Sequence, residues 1–259
     1  MGSRHRPRWG TGPAPTHRDI EVLAWVAEQY AIRADTLALL LGRLSPEAPR
    51  TIHRWEYAPG RSAELPVLAE ATVRYHLRRW LRAGWVRPQR ALGRTWIVPG
   101  RAGLELAGSG YRPWTLVPSQ LNHLHAVAIV RLAIETANPE AEWVSERALT
   151  RLRAQRRESW WRPDGGLVVA DVAVNGGPPL HTIEVELTPK HLAKLQEVFE
   201  HRYPGEVQTT YFTPPAHQDG LKRRLAVLEQ ANRARNEPWS QVTVVSLPVL
   251  PGLSYEGAA

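Results

Sequence analysis

Apolar residues recur at helical spacing three times in the first part of the chain. Ile20, Leu23, Ala24, Ala27 and Tyr30 form one face of a helix predicted over 17–30. Leu37, Leu40 and Leu41 stripe a second helix over 34–41, which Gly42 stops. Val73, Leu77, Trp80 and Leu81 give the inward face of a third, over 68–83, with Gly84 behind it. Extended runs at 85–87 and 95–98 then flank a turn holding Arg90, Gly93 and Arg94, and a short helix at 102–107 follows.

After a proline-containing linker at 111–119 the pattern changes. A largely apolar helix is predicted over 120–136 and a short strand over 143–146. Arg147, Arg151, Arg153, Arg156 and Arg157 follow on a helix or loop. Runs of β propensity at 166–174 and 180–187 flank Asn175-Gly176-Gly177 as a hairpin. Then come a helix over 190–203, a strand over 207–213, a helix over 218–235 and a strand over 242–247. The expected fold class is α+β. Three helices and a basic hairpin predict a winged helix at 16–110, preceded by a basic arm at 1–15. A mixed sheet flanked by helices is predicted at 120–250.

Charge separates the halves. Residues 1–118 hold 18 Arg, no Lys and 9 acidic residues, a balance of +9; residues 119–259 hold 15 basic and 16 acidic residues, a balance of −1. The excess points to double-stranded DNA as partner of the first half and to another task for the second. On the third helix Arg74, Arg78 and Arg82 stand at i, i+4 and i+8, with Thr72, His76 and Arg79 beside them. This face is expected to enter a major groove, with Arg90 and Arg94 on the flanking backbone. A stretch of about 25 residues between the second and third helices, where a tight turn is usual, reads as a basic loop carrying Arg43, Arg50, His53, Arg54 and Arg61. The chain has no cysteine, so disulfides and thiolate metal sites are excluded, and a cytoplasmic location is expected. No apolar run approaches the length of a membrane span, so no membrane partner is expected.

Chemistry concentrates in the second half. Asp164 stands in Arg162-Pro163-Asp164-Gly165, and Glu184 and Glu186 lie two apart on a predicted strand and so share a face. Only three lysines occur in the chain, and Lys190 and Lys194 follow this pair at i, i+4 on the next helix. Such carboxylates suit Mg²⁺, and a nearby lysine suits developing negative charge. Ion pairing of Glu184 and Glu186 with these lysines or the arginine cluster is an equally weighted reading. Asp171 is expected to face outward on its strand. His123 and His125, two apart on a helix, cannot share a face.

These features resemble the PD-(D/E)xK nuclease fold: the order of elements, Pro163-Asp164, Glu184-x-Glu186 and a following lysine. The whole chain is similar to the replication-relaxation family of plasmids and mobile elements over most of 17–247. The resemblance implies Mg²⁺-dependent nicking or cleavage of DNA in replication initiation or mobilisation. Asp164, Glu184 and Glu186 would hold the metal, and His123 or His125 would match a histidine early in the first helix of the nuclease-like half. The family's lysine normally stands two residues after the second carboxylate, where this chain has Glu186; its role falls to Lys190 or Lys194. The alternative is a non-enzymatic DNA-binding regulator or initiator whose second half serves homodimerisation or partner docking.

Overall fold

The computed structural model describes residues 14–45, 51–58, 61–169, 178–236, 239 and 241–248, and of 51–63 the backbone alone. Most of the basic arm, the Asn175-Gly176-Gly177 turn and Asp171 lie outside the described residues. The chain divides into two units, 1–51 with 67–116 and 52–66 with 117–259. It is a mixed α+β protein.

The first unit contains α1 (His17–Glu28), β1 (Ile32–Arg33), α2 (Ala34–Arg43), α3 (Glu70–Arg82), β4 (Val86–Ala91), β5 (Arg94–Pro99) and α4 (Arg101–Leu106). Two strands introduced between α2 and α3, β2 (Thr51–Ala58) and β3 (Arg61–Val67), pair as a separate two-stranded sheet. The basic loop expected there is therefore strand. Its run Thr51-Ile52-His53-Arg54-Trp55-Glu56-Tyr57 has the β-branched and aromatic content that favours extended backbone.

In the first unit β5 lies between β1 and β4 and runs antiparallel to both. Leu23, Val26, Ile32, Leu37, Leu40, Trp80, Trp96 and Ile97 are buried in its core. Thr16 and Asp19 cap α1 reciprocally, each side chain bonding the other's backbone N–H. Gly84, at φ 70°, turns the chain from α3 into β4.

α3 is rotated from its expected setting. Its buried residues are Val73, His76 and Trp80, whereas Leu81, predicted to face inward, is 42% exposed. The cause is polar. Asp19 is wholly buried and accepts from Trp80 Nε1 at 2.7 Å, and it also pairs with Arg79, which draws that side of α3 onto α1.

The second unit is a five-stranded sheet in the order β10-β9-β8-β7-β6. Its strands are β6 (Trp143–Ser145), β7 (Gly165–Val168), β8 (Leu180–Val185), β9 (Glu206–Thr213) and β10 (Gln241–Ser246). β7 runs antiparallel to both β6 and β8, whereas β8, β9 and β10 run parallel. The helices are α5 (Leu121–Ala137), α6 (Glu146–Arg156), α7 (Leu192–Glu200) and α8 (Pro215–Ala234).

Alternation along the strands builds two cores. Ile183, Val185 and Phe212 pack with Val127, Val130 and Ile134 of α5. Tyr211 packs with Leu195 of α7 and Leu221, Leu225 and Leu228 of α8. Gly165 is required by packing: a Cβ there would stand 2.1 Å from the Trp143 ring. No helix among the described residues is long and apolar enough to cross a membrane.

Candidate functional site

Asp164, Glu184, Glu186, Lys190 and His123 line one cavity of about 410 Å³ in the second unit. Strand register explains the first encounter. Gly165 pairs with Ile183 across the antiparallel β7–β8 ladder, so Asp164, one residue earlier, stands beside Glu184. Asp164 Oδ2 accepts the Val185 N–H at 2.7 Å, and its Oδ1 lies 2.7 Å from His123 Nε2. His123 comes from the first turns of α5; His125, two residues on, is 2% exposed and does not line the cavity.

Glu184 and Glu186 do serve one point, and a cation stands there. Lys190 Nζ is 3.4 Å from Glu184 Oε2 and 3.4 Å from Glu186 Oε2. Glu186 also accepts the Lys190 backbone N–H at 2.8 Å, which turns the chain back so that the ammonium returns between the two carboxylates. Lys194 is placed elsewhere: it is bonded to Glu197 at 2.7 Å and does not line the cavity. Of the two lysines open to the sequence reading, the site holds Lys190.

Trp161 and Arg162 also line the cavity, and Glu146 stands behind Arg162; the sequence reading singles out none of the three for the site. Trp161 donates from Nε1 to Glu184 Oε1 at 3.1 Å. Arg162 pairs with Glu146 at 2.6 Å, and Glu146 lies close enough to Asp164 and His123 to feel both charges. A capping Ser145 directly before Glu146 and the tandem Trp160-Trp161 were the available signals.

The electrostatics follow from burial opposed by pairing. Burial pushes the Glu184 carboxyl up to about 7 although Lys190 pulls it down. Burial likewise raises Glu146, against the pull of Arg162. For Asp164 burial is outweighed by the charge and hydrogen bond of His123 and by the Val185 N–H, so its pKa lies below the usual value. The Asp164 carboxylate in turn lifts His123 to about 9. Burial would lower Lys190, but Glu184, Glu186 and Asp164 hold its ammonium above the ordinary value.

Among the described residues no three His, Asp or Glu side chains are grouped as a ready metal site. The donors nevertheless fit a hard dication in kind. Asp164 and Glu184 present carboxylate oxygens to one cavity, and the buried Glu186 Oε2 has no hydrogen bond.

The residues expected on DNA lie in the first unit. Arg74, Arg78, Arg82, Arg90 and Arg94 are exposed, and Thr72 is partly so. Arg74 pairs with Glu70, which is exposed as well. Two of the expected contacts are corrected. His76 is 4% exposed, with Arg18 Nη2 3.0 Å from its Nε2. Arg79 is spent on the buried Asp19, and its guanidinium lies 5.7 Å from the Trp85 ring centre. Both residues hold the helices together. Exposed Arg87 on β4 and Tyr75, 62% exposed on α3, extend the accessible surface instead.

Comparison of the chain with family models, curated proteins and solved structures finds no match.

Proposed function

We propose that this is a DNA-processing protein of two parts. The first unit is a winged helix, with α3 as the recognition helix and β4–β5 as the wing, and it grips duplex DNA. The second is a PD-(D/E)xK-like domain that nicks or cleaves DNA, in keeping with the resemblance to the replication-relaxation family. The observation that carries this reading is the meeting of Asp164, Glu184 and Lys190 in one cavity, from the ends of two paired strands and the turn after them.

In the reaction, water adds to phosphorus while one P–O ester bond breaks, leaving a phosphomonoester and an alcohol; water gives one proton to solvent, and the alcohol takes one up. Lys190 sets its ammonium against the negative charge that grows on the phosphoryl oxygens. His123 and the Val185 N–H fix the Asp164 carboxylate, and Trp161 fixes that of Glu184. Asp164, Glu184 and Glu186 would hold Mg²⁺, which when bound neutralises phosphoryl charge and lowers the pKa of water.

A second reading has its own support. Lys190 already pairs with both Glu184 and Glu186, as in an ion-paired remnant. On that reading the protein is a regulator or initiator, and the second unit serves dimerisation or partner docking.

The test is a nicking assay on supercoiled DNA carrying the protein's own origin, with a thermal melt beside it. Mg²⁺ raises the melting temperature by mass action and permits nicking; Glu184→Gln abolishes nicking and leaves duplex binding intact. Wild-type protein that neither cleaves nor is stabilised by Mg²⁺ leaves the regulator reading in place.

A further inference from the structure

Trp161 and Arg162 have a second side. Besides the site cavity they line a groove of about 320 Å³ whose other walls are Arg153, Ser159, Trp160, Glu197 and His201. The groove lies along the segment from α6 to β7, directly before Asp164, so it abuts the site through two shared residues.

The wall is built rather than incidental. Trp160 turns inward, 6% exposed, with its ring edge on Tyr203 at 5.0 Å, and its carbonyl accepts Arg153 Nη1 at 3.2 Å. Trp161 turns the other way. Its backbone N–H donates to the His201 carbonyl, its indole N–H to Glu184, and Lys194 Nζ lies 4.8 Å from the ring centre. An indole held at three points presents apolar surface at little entropic cost.

The groove's charge is positive. Its one acid, Glu197, is paired with Lys194 at 2.7 Å; Arg153 and Arg162 are both cationic, Arg162 holding Glu146 at 2.6 Å while its Nε is buried without a hydrogen bond. Exposed Arg156 and Arg157 continue the charge past the end of α6. An aromatic surface beside guanidinium groups is the chemistry that takes an unstacked base and its phosphate.

We propose that this groove holds a single-stranded stretch of the substrate next to the bond in the site cavity, a base lying against Trp161 and its phosphate between Arg153 and Arg162. The inference rests on the nucleic-acid reading of the second unit and adds the form of substrate: a strand opened beside the scissile bond. It also gives Trp161 a positioning role, because the same indole that meets the base holds Glu184.

The chain has no cysteine, so one introduced thiol labels uniquely. Ser159→Cys puts an environment-sensitive dye on the groove wall, and Val227→Cys, at a position 52% exposed on α8, is the control. Both are made in the full chain with Arg74→Ala and Arg78→Ala, and without Mg²⁺. A single-stranded oligonucleotide of about ten nucleotides shifts the dye at 159 and not at 227. Arg153→Gln weakens that response about tenfold, as removal of one phosphate-binding cation should. Arg153→Lys, which keeps the charge, restores most of it and shows that the fold survives. A mononucleotide or polyglutamate that shifts the dye as strongly as the strand overturns the proposal; so does an equal response at 227 or an Arg153→Gln variant that binds like its parent. Failure of the parent reading looks different: the dye responds to the strand, yet Mg²⁺ gives no nicking. Nicking without a dye response removes the groove alone.

Discussion

Lys190 Nζ lies 3.4 Å from Glu184 Oε2, although the residues are six positions apart and no regular strand or helix joins them. The turn between them is held by Glu186, which takes the Lys190 backbone N–H. The ammonium therefore reaches the second carboxylate from farther along the chain than a lysine at position 186 would. Lys190→Met is expected to reduce nicking by about a hundredfold or more, as loss of a charge-stabilising group does. It also leaves two buried carboxylates without their cation and lets burial raise Glu184 further, so the melting temperature falls at neutral pH and recovers as pH drops toward the ordinary carboxyl range, where the unfolded chain takes up the same proton. Lys194→Met is expected to stay close to wild type in both measurements. Equal losses in the two variants would remove Lys190 from its role.

Duplex binding is expected to depend on the exposed arginines and to ignore the buried ones. Arg74→Ala, Arg78→Ala, Arg90→Ala and Arg94→Ala should each weaken binding and flatten the salt dependence, by about 0.9 in the log–log slope for every phosphate no longer neutralised. Arg79→Ala acts through Asp19 and lowers stability instead. Fluorescence-anisotropy titrations at several salt concentrations, with a melt for each variant, separate the two effects. An Arg79 variant that melts normally but binds poorly would restore it to the DNA surface.

Most elements were legible from periodicity and stop signals. α1, α3 and α5, the β4–β5 hairpin and β6, β8, β9 and β10 fall close to where spacing and stop signals put them; of the strand expected over 166–174, β7 spans Gly165–Val168, and 170–174 lie outside the described residues. The setting of α3 was not, because a period of 3.6 leaves Leu77, Leu81 and His76 nearly equivalent on the inner rim; a buried carboxylate from α1 made the choice, and no local pattern announces that. Asp164 and Glu184 were legible as a pair since hairpin register aligns them. Trp161 and Glu146 were not, for Trp161 reaches the cavity from a loop and Glu146 acts on it from a helix start through Arg162, and both positions depend on tertiary packing. The β2–β3 pair is hard to see in the sequence because His53, Arg54 and Arg61 break its β-prone run and give the stretch a basic, loop-like character.

The rotation of α3 can be tested by a pair of truncations. Trp80 is 1% exposed and packed in the first unit's core, and Leu81 is 42% exposed. Trp80→Ala is expected to lower unfolding free energy by about 3–5 kcal/mol, as large-to-small core changes do. Leu81→Ala should lie within about 0.5 kcal/mol of wild type. Urea unfolding of the full chain measures both, and a large loss at Leu81 would return that residue to the core.

Asp19 gives the first unit an acid limit of its own. Burial alone would raise its pKa, but the Thr16 backbone and hydroxyl, the Trp80 indole and Arg79 together bring it below the usual value of 3.8. A carboxyl depressed on folding binds a proton more tightly in the unfolded chain. Its stabilisation is therefore complete above the unfolded pKa and is lost as pH falls through the folded one. Protonation would remove the charge that holds Arg79 and weaken the acceptor for Trp80, so the polar link that sets the packing of α3 on α1 is broken. Asp19→Asn keeps the shape and removes the titration. The variant is expected to be less stable than wild type at pH 7, and the difference should shrink from about pH 5 downward, as the wild-type carboxylate begins to titrate. Taking the difference between the two proteins cancels the carboxylates of the second unit, Asp164 among them. Urea midpoints measured at several pH values give the curve. A difference that stays constant down to the acid limit would mean that Asp19 is not the group that couples folding of this unit to protons.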